Sequence, residues 1–356
     1  MKYKVSVIVP VFNAEKTVKR ALDSVRKQTI GFGNIELIVV NDCSNDGSAE
    51  ILNAFEKKYE NICVINTQIN SGDAGVPRNI ALERVSAPYV MFVDSDDELE
   101  ANACEVLIDA IENSRADLAT AGYSIYGENG KKMSERIPAY DEANEGVYDL
   151  SRGIACFEPL TDPFWCKIYK NEIIKENSVR FSVGYTGEDT AFTVRYLLCS
   201  KSAYYKKTAV YRYYMTEGSM SRSKTKDYFI NVTSFYKDLE LMLGRKNAEF
   251  YNRHLNADHF LHLYSTTGGF VETDTREVLK AWWHILQYTA DKKLVCHSPA
   301  VRTIVRDAAV DDFEGAVYHM GEFRAIEDER RRQLEDIFSS KSWKLSKSIA
   351  DLFKTN

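Results

Sequence analysis

No stretch of the 356-residue chain reaches the ~18 to 20 consecutive apolar residues of a membrane span, and Lys4 opens a strand-like run with no basic and apolar leader ahead of it. A cytoplasmic protein is expected. A basic surplus is also missing. The 46 Lys and Arg and 52 Asp and Glu are mixed along the chain and sum to −6, so there is no overall basic field for a nucleic acid, which is not an expected partner. The seven cysteines (43, 63, 104, 156, 166, 199, 296) are odd in number, scattered and never paired as C-x-x-C. That pattern argues against a disulfide framework or a thiolate zinc site and reads them as small buried apolar residues in a reducing cytosol. Internal repeats and low-complexity tracts are absent, and 44% hydrophobic content suffices for one large or two modest cores.

What is present is an alternation of short β-branched runs with amphipathic helical patterns over residues 4–124, the pattern of a parallel sheet flanked by helices. Val5–Val9, Ile35–Val40, Ile62–Ile65, Tyr89–Val93 and Leu118–Ala121 read as strands buried on both faces. Val18, Ala21, Leu22 and Val25 recur at helical spacing after Asn13, as do Ile51, Leu52, Phe55 and Tyr59 after Ser48, so Asn13 and Ser48 are expected N-caps. From 125 to 225 short elements rich in Tyr and Phe, punctuated by Pro138, Pro159 and Pro163, are expected to close over the carboxyl edge of the sheet. Residues 226–356 read as helical. One stripe runs through Phe229, Val232, Phe235, Tyr236, Leu239 and Leu243, and a later one through Trp282, Trp283, Ile285 and Leu286. The charge-dense 324–336 segment reads as a solvated helix.

Open parallel sheets bind ligands beyond the carboxyl ends of their strands, and those positions here are acidic. Asp94-Ser95-Asp96-Asp97 follows the fourth strand. Several carboxylates at one edge suit a hard divalent cation carrying a nucleotide diphosphate, although the same aspartates could cap a helix beginning near Glu100. Asp42 and Ser44 offer acceptors to a base N–H, or form an Asx-type turn. Asn70 to Asn79 follows the third strand and opens a helix, so its glycines can cradle a pyrophosphate with Arg78 pairing to the phosphate oxygens. Gly72 and Gly75 lie three apart with no third glycine, which disfavours a dinucleotide fold and hydride chemistry.

In order and spacing, Val7-Ile-Val-Pro-Val-Phe-Asn13, Asn41-Asp-Cys-Ser-Asn-Asp-Gly47, Pro77-Arg-Asn79, Phe92-Val-Asp-Ser-Asp-Asp97 and Gly187-Glu-Asp189 resemble the family 2 glycosyltransferases. Trp165-Cys-Lys167, Val179-Arg-Phe181, Tyr211-Arg-Tyr213-Tyr214 and Gly218-Ser219-Met-Ser221 extend the likeness to about residue 222. The resemblance implies a GT-A fold, an α/β sheet that is mostly parallel and Rossmann-like, over 1–225. Within it, 1–124 would bind the nucleotide sugar and 125–225 would supply the acceptor side and the base. The helical extension over 226–356 resembles only variable family tails.

It implies roles residue by residue: Asp42 recognising uracil with Pro10, Phe12 and Asn13 lining the slot, Arg78 meeting the diphosphate, and Asp94 and Ser95 touching ribose or sugar. Asp96 would ligate Mn or Mg, and Asp189 would be the catalytic base, with Glu188, Trp165 and Lys167 as acceptor-side or supporting contacts. The implied reaction is inverting transfer of one sugar from a UDP-sugar to a hydroxyl of a glycan or lipid-linked acceptor in surface or secreted glycan synthesis. Asn41, Cys43 and Pro77 depart from the common pattern, and the Q-x-x-R-W segment of processive synthases is absent.

The rival readings are a nucleotidyltransferase, which would want a Gly-rich basic loop after the first strand, and a silent binding module. His254, His259 and His262 lack a surrounding carboxylate site and read as packing or surface residues. The 341–354 tail interleaves Trp343, Leu345, Ile349, Leu352 and Phe353 with four lysines. Such a basic amphipathic helix either meets the inner face of an anionic membrane or packs on its own chain or a second copy in a homodimer.

Overall fold

The computed structural model describes residues 2–137, 145–151, 153–154, 163–184, 186–215, 225–243, 261, 263–264 and 272–340. Pro138, Pro159, Cys156, residues 218–221, His254, His259, His262 and the 341–354 tail lie outside them.

The chain groups into two compact units, Met1–Arg222 with Asp238–His254, and Ser223–Lys237 with Leu255–Asn356. In the first, strands β1 (Val5–Val11), β2 (Ile35–Asn41), β3 (Ile62–Asn66) and β4 (Tyr89–Phe92) alternate with helices α1 (Val18–Arg26), α2 (Ser48–Lys58) and α3 (Gly75–Leu82). β1 pairs in parallel with β2 and β4, and β2 with β3, in a register that sets Val5 opposite both Ile35 and Tyr89. Every residue of β1 is buried, as a central strand covered on both faces requires. α1 closes one face with Val18, Ala21, Leu22 and Val25 inward, and full burial of each Val or Leu stabilises by ~1.5–3 kcal/mol.

The chain then adds β5 (Glu98–Leu99), α4 (Ala103–Ser114), β6 (Leu118–Gly127), β7 (Lys132–Arg136), β8 (Gly146–Asp149), β9 (Lys167–Lys170), α5 (Asn171–Glu176), α6 (Glu188–Leu198) and β10 (Ser202–Met215). The sheet order is β3-β2-β1-β4-β9-β6-β10-β5, with β7 on β6 and β8 on β10. β9 wedges antiparallel between β4 and β6, so the fifth parallel strand of the sequence pattern sits one place farther out than chain order suggests. Beneath this half lies an aromatic core in which Phe181 and Phe192 stack at 4.1 Å and Phe92 meets both edge-on.

In the second unit, α7 (Lys226–Leu243) up to Lys237 groups with α8 (Glu272–Asp291), α9 (Pro299–Ala309) and α10 (Phe313–Ser339). Phe229, Val232, Phe235 and Tyr236 are buried with Trp282, Ile285 and Leu286, and the Trp282 indole N–H donates to the Phe229 carbonyl at 2.8 Å. Trp283 is half-buried and donates to Asp311. From Asp238 onward, the described part of α7 belongs to the first unit. Residues 324–336 lie on the mostly exposed second half of α10, with Arg330 paired to Glu327.

Two expected caps are not caps. Asn13 adopts φ 47° and accepts from the Asn45 N–H, while α1 starts after Thr17. Ser48 is already inside α2 and accepts from the Ala14 N–H; it is Asp46 that accepts the Ser48 N–H. Both side chains lace the β1–α1 loop to the β2–α2 loop, a contact between segments remote in sequence. Six described cysteines are free, but Cys63 and Cys199 are exposed, contrary to the buried reading. Among the described residues no helix is long and apolar enough to cross a membrane.

Candidate active site

The carboxyl edge of β1, β2 and β4 gathers the predicted residues. Pro10 is buried within β1, whereas Phe12, one step past the strand, is 49% exposed. Asp42, at the end of β2, is buried. Its carboxylate accepts from the Thr67 hydroxyl at 3.0 Å and from the Ser71 N–H and hydroxyl at 2.9 and 2.6 Å, and its carbonyl accepts from Asn70. Asp42 therefore organises the loop ahead of α3.

Arg78 is the hub. Its side chain is 6% exposed and lies over the Phe164 and Phe181 rings at 4.5 and 5.3 Å. Its guanidinium donates to Asp94 at 2.8 Å and to Glu188 at 3.2 Å. Burial disfavours the cation, but Asp94 and then Glu188 outweigh it, so the Arg78 pKa is raised and its charge is permanent. The expected phosphate partner of the sequence pattern thus first clamps two carboxylates, one after β4 and one at the start of α6.

α6 follows Gly187, its N-cap position, whose φ of 100° favours glycine. That turn aims Glu188 at Arg78 and sets the half-buried Asp189 beside it, where Asp189 accepts the Thr190 N–H at 2.7 Å. Burial and then the Asp189 charge push the Glu188 carboxyl up to about 7 in spite of Arg78.

The Asp94–Asp97 turn does not cap a helix. It leads into β5, and α4 starts only at Ala103 with Asn102 as its cap position. Asp97 is buried, accepting from the Tyr211 hydroxyl at 2.9 Å and the Tyr214 N–H at 2.8 Å, while the same Tyr211 oxygen accepts the Asp94 N–H at 3.0 Å. Burial first, then Asp96 and Asp94, raise the Asp97 pKa well above the ordinary value. Ser95 and Asp96 are half-exposed, and the Asp96 carbonyl accepts from Arg20. Among the described residues no group of three His, Cys, Asp or Glu converges as a metal cage.

Trp165 and Lys167, expected on the acceptor side, are both buried. Trp165 stacks on Tyr211 at 3.8 Å, and the Lys167 ammonium donates to the Pro163 carbonyl at 3.2 Å. Phe164, Phe181, Tyr211 and Asp97 are the contributors the motif reading left without a role. Asp97, Phe181 and Tyr211 stood within the matched motifs, and Phe164 directly beside one, without a role that the sequence could assign.

A mostly parallel sheet with a carboxylate turn after β4 and a carboxylate pair opening a later helix is the arrangement of a GT-A glycosyltransferase. The comparisons agree. The family description Glycosyl transferase family 2 matches residues 6–177. TarP of Staphylococcus aureus, a poly(ribitol-phosphate) beta-N-acetylglucosaminyltransferase, is 32% identical over 255 residues, 69% of this chain and 75% of TarP. Glycosyltransferase GlyA of Streptococcus pneumoniae is 34% identical over 235 residues, 63% of this chain but 32% of GlyA. The crystal structure of S. aureus TarS 1-349 in complex with UDP-GlcNAc matches with a TM-score of 0.71 and 24% identity over 90% of this chain and 92% of that one, a likeness of fold. The chain belongs to glycosyltransferase family 2, and it is an enzyme of that class.

Proposed function

We propose that the chain moves a single sugar from a UDP-sugar to a hydroxyl of a surface or secreted glycan, with inversion and with the help of a divalent cation. The observation that carries this reading is the Arg78 bridge. It fastens the turn after β4, which carries Asp94, to Glu188 at the start of α6, so that Asp189, next in the chain and near enough for its charge to act on Arg78, would face the donor edge. The names of the relatives support the donor and acceptor classes, since TarP is named for adding N-acetylglucosamine to poly(ribitol-phosphate) in beta linkage and the TarS structure holds UDP-GlcNAc.

Phe12 and Asp42 would receive the uracil, and Arg78 would counter the charge of the departing diphosphate. Asp189 would take the proton of the acceptor hydroxyl as that oxygen attacks the anomeric carbon from the face opposite the nucleotide. Charge makes the case for a cation. Asp94, Glu188 and Asp189 surround one buried guanidinium, an environment that would repel a diphosphate. Mn or Mg would be held by Asp96 together with the donor's own oxygens, in keeping with hard cations that take one or two carboxylates and complete their shell on phosphates and water. When bound, it would neutralise the leaving group.

Asp189→Asn tests the reading because it keeps the shape and removes the base. UDP-sugar affinity should stay within a few-fold while single-turnover transfer falls by roughly 10² to 10⁴. Near-normal transfer, or a product whose anomeric configuration by NMR is that of the donor, would overturn the base assignment and the inverting course.

A further inference from the structure

The turn from Asp94 to Asp97 closes on itself, its Asp97 N–H donating to the Asp94 carbonyl at 3.1 Å. β10 holds its two ends. The Tyr211 hydroxyl accepts the Asp94 N–H and donates to the Asp97 carboxylate, which also accepts the Tyr214 N–H. The middle of the turn, Ser95 and Asp96, is half-exposed and is reached from α1, where the Arg20 guanidinium donates to the Asp96 carbonyl. A charged donor makes this bond stronger than one between neutral groups. Arg20 is itself seated, 3.7 Å from the Tyr214 ring centre and with its Nε buried. Tyr214 in turn donates its hydroxyl proton to Glu98 at 2.6 Å, so the ring under the guanidinium is tied to the chain that leaves the turn.

Arg20 heads a polar ridge. Ser24 and Gln28 follow it at four-residue steps along α1 and the turn that ends it, and both are buried. The Ser24 hydroxyl accepts the Leu99 N–H at 3.1 Å, and the Gln28 amide donates to the Glu100 carbonyl at 2.7 Å and accepts the Cys104 N–H at 2.9 Å. β5 has two residues, too few to satisfy this stretch by strand pairing, and α1 supplies further partners. Ser24 and Gln28 thus hold the chain after the turn, whereas Arg20 reaches the turn itself.

We infer that Arg20 is a positioning residue for the reaction. By fixing the peptide group between Asp96 and Asp97, it sets the direction from which the Asp96 carboxylate meets a divalent cation. It acts through the backbone, without touching donor, acceptor or cation. The inference rests on the reading of Asp96 as the cation's ligand and deepens it. A cation that takes only one or two carboxylates and completes its shell on phosphates and water depends heavily on how each carboxylate is aimed. Removing a group that aims a metal's ligand typically weakens metal binding by ~10- to 100-fold even though the ligand itself remains. A bare packing role for Arg20 would lead to a different result, a less stable fold whose manganese binding per folded molecule is unchanged.

The test is manganese binding by the full chain in saturating UDP, read from the electron paramagnetic resonance signal of free Mn(II). UDP affinity without metal and the melting temperature are measured on the same preparations. Arg20→Met keeps an apolar stem on the Tyr214 ring and removes the donor, so manganese should bind at least about tenfold more weakly while metal-free UDP affinity is unchanged. Arg20→Lys keeps a charged donor but not the flat head, and should fall between Arg20→Met and the wild type. Gln28→Ala strands buried partners at Glu100 and Cys104, so it should lower the melting temperature and leave manganese affinity unchanged. Wild-type manganese affinity in folded Arg20→Met overturns the inference. Equal weakening in Gln28→Ala does so too, because any loosening of α1 would then act alike. A fall in metal-free UDP affinity as large as the manganese loss also overturns it and makes Arg20 a holder of the nucleotide edge. Wild-type protein that binds UDP but no manganese would overturn the assignment of Asp96 and this inference with it, and wild-type protein that binds neither would sink the donor reading as well.

Discussion

Arg78 and Glu188 show how one residue's environment differs from its motif. An arginine after a glycine-bearing loop reads as a phosphate ligand; the fold also makes it a clamp between two carboxylates, and burial pushes one of these, Glu188, up to about 7. The native state therefore holds a proton on Glu188 more tightly than an unfolded chain, whose glutamates titrate near 4.5. The stability from this group is complete below that value and is lost as pH rises through about 7. Glu188→Gln, which carries no titrating proton, should lack this loss. The melting temperature of the variant relative to wild type should therefore rise between these two pH values, and parallel melting curves across the window would show that Glu188 is not perturbed. The Glu-Asp pair was legible in the sequence; the proton affinity was not, because it comes first from the burial of Glu188, which only folding creates.

At the scale of elements, α3 must start tight against the segment that leads to α6. A β-carbon on Gly75 would sit 2.6 Å from the Ser182 carbonyl oxygen and 3.2 Å from the Phe181 β-carbon, both parts of the chain that also carry Asp73-to-Gly184 and Asn79-to-Phe181 hydrogen bonds. Gly75→Ala should cost about 1–3 kcal/mol, read by denaturant unfolding, because backbone must yield. By moving the helix that bears Arg78 it should also lower transfer, while Gly33→Ala, whose β-carbon meets nothing within 4 Å, should leave transfer unchanged. A wild-type-like Gly75→Ala would mean that the two segments slide freely. The strands of the first half were readable since buried parallel strands are continuous apolar runs. The wedge of β9 between β4 and β6 was not, since pairing partners far apart in sequence leave no periodic trace.

For the whole molecule, ligand linkage is the measure of the donor site. UDP with manganese at about a hundredfold excess over its dissociation constant should stabilise the wild type by about 2.7 kcal/mol, seen as a thermal shift. Asp96→Ala should lose the manganese-dependent part of that shift and keep the fold, since Asp96 is half-exposed at a turn. A full shift in the variant would place the cation elsewhere.

The strands, the helices and the ordered family motifs were all local in the chain, as alternation, helical spacing and dipeptide chemistry are properties of neighbours. Asp94, Asp189 and Arg78 could be named from such patterns. Their joining into one site, the burial of Trp165 and Lys167, the re-use of Asn13 and Ser48 as loop laces and the grip of Arg20 on the Asp96 carbonyl arose from folding. Each needs side chains from remote segments to share a low-dielectric or confined space, and that is created only when the sheet closes.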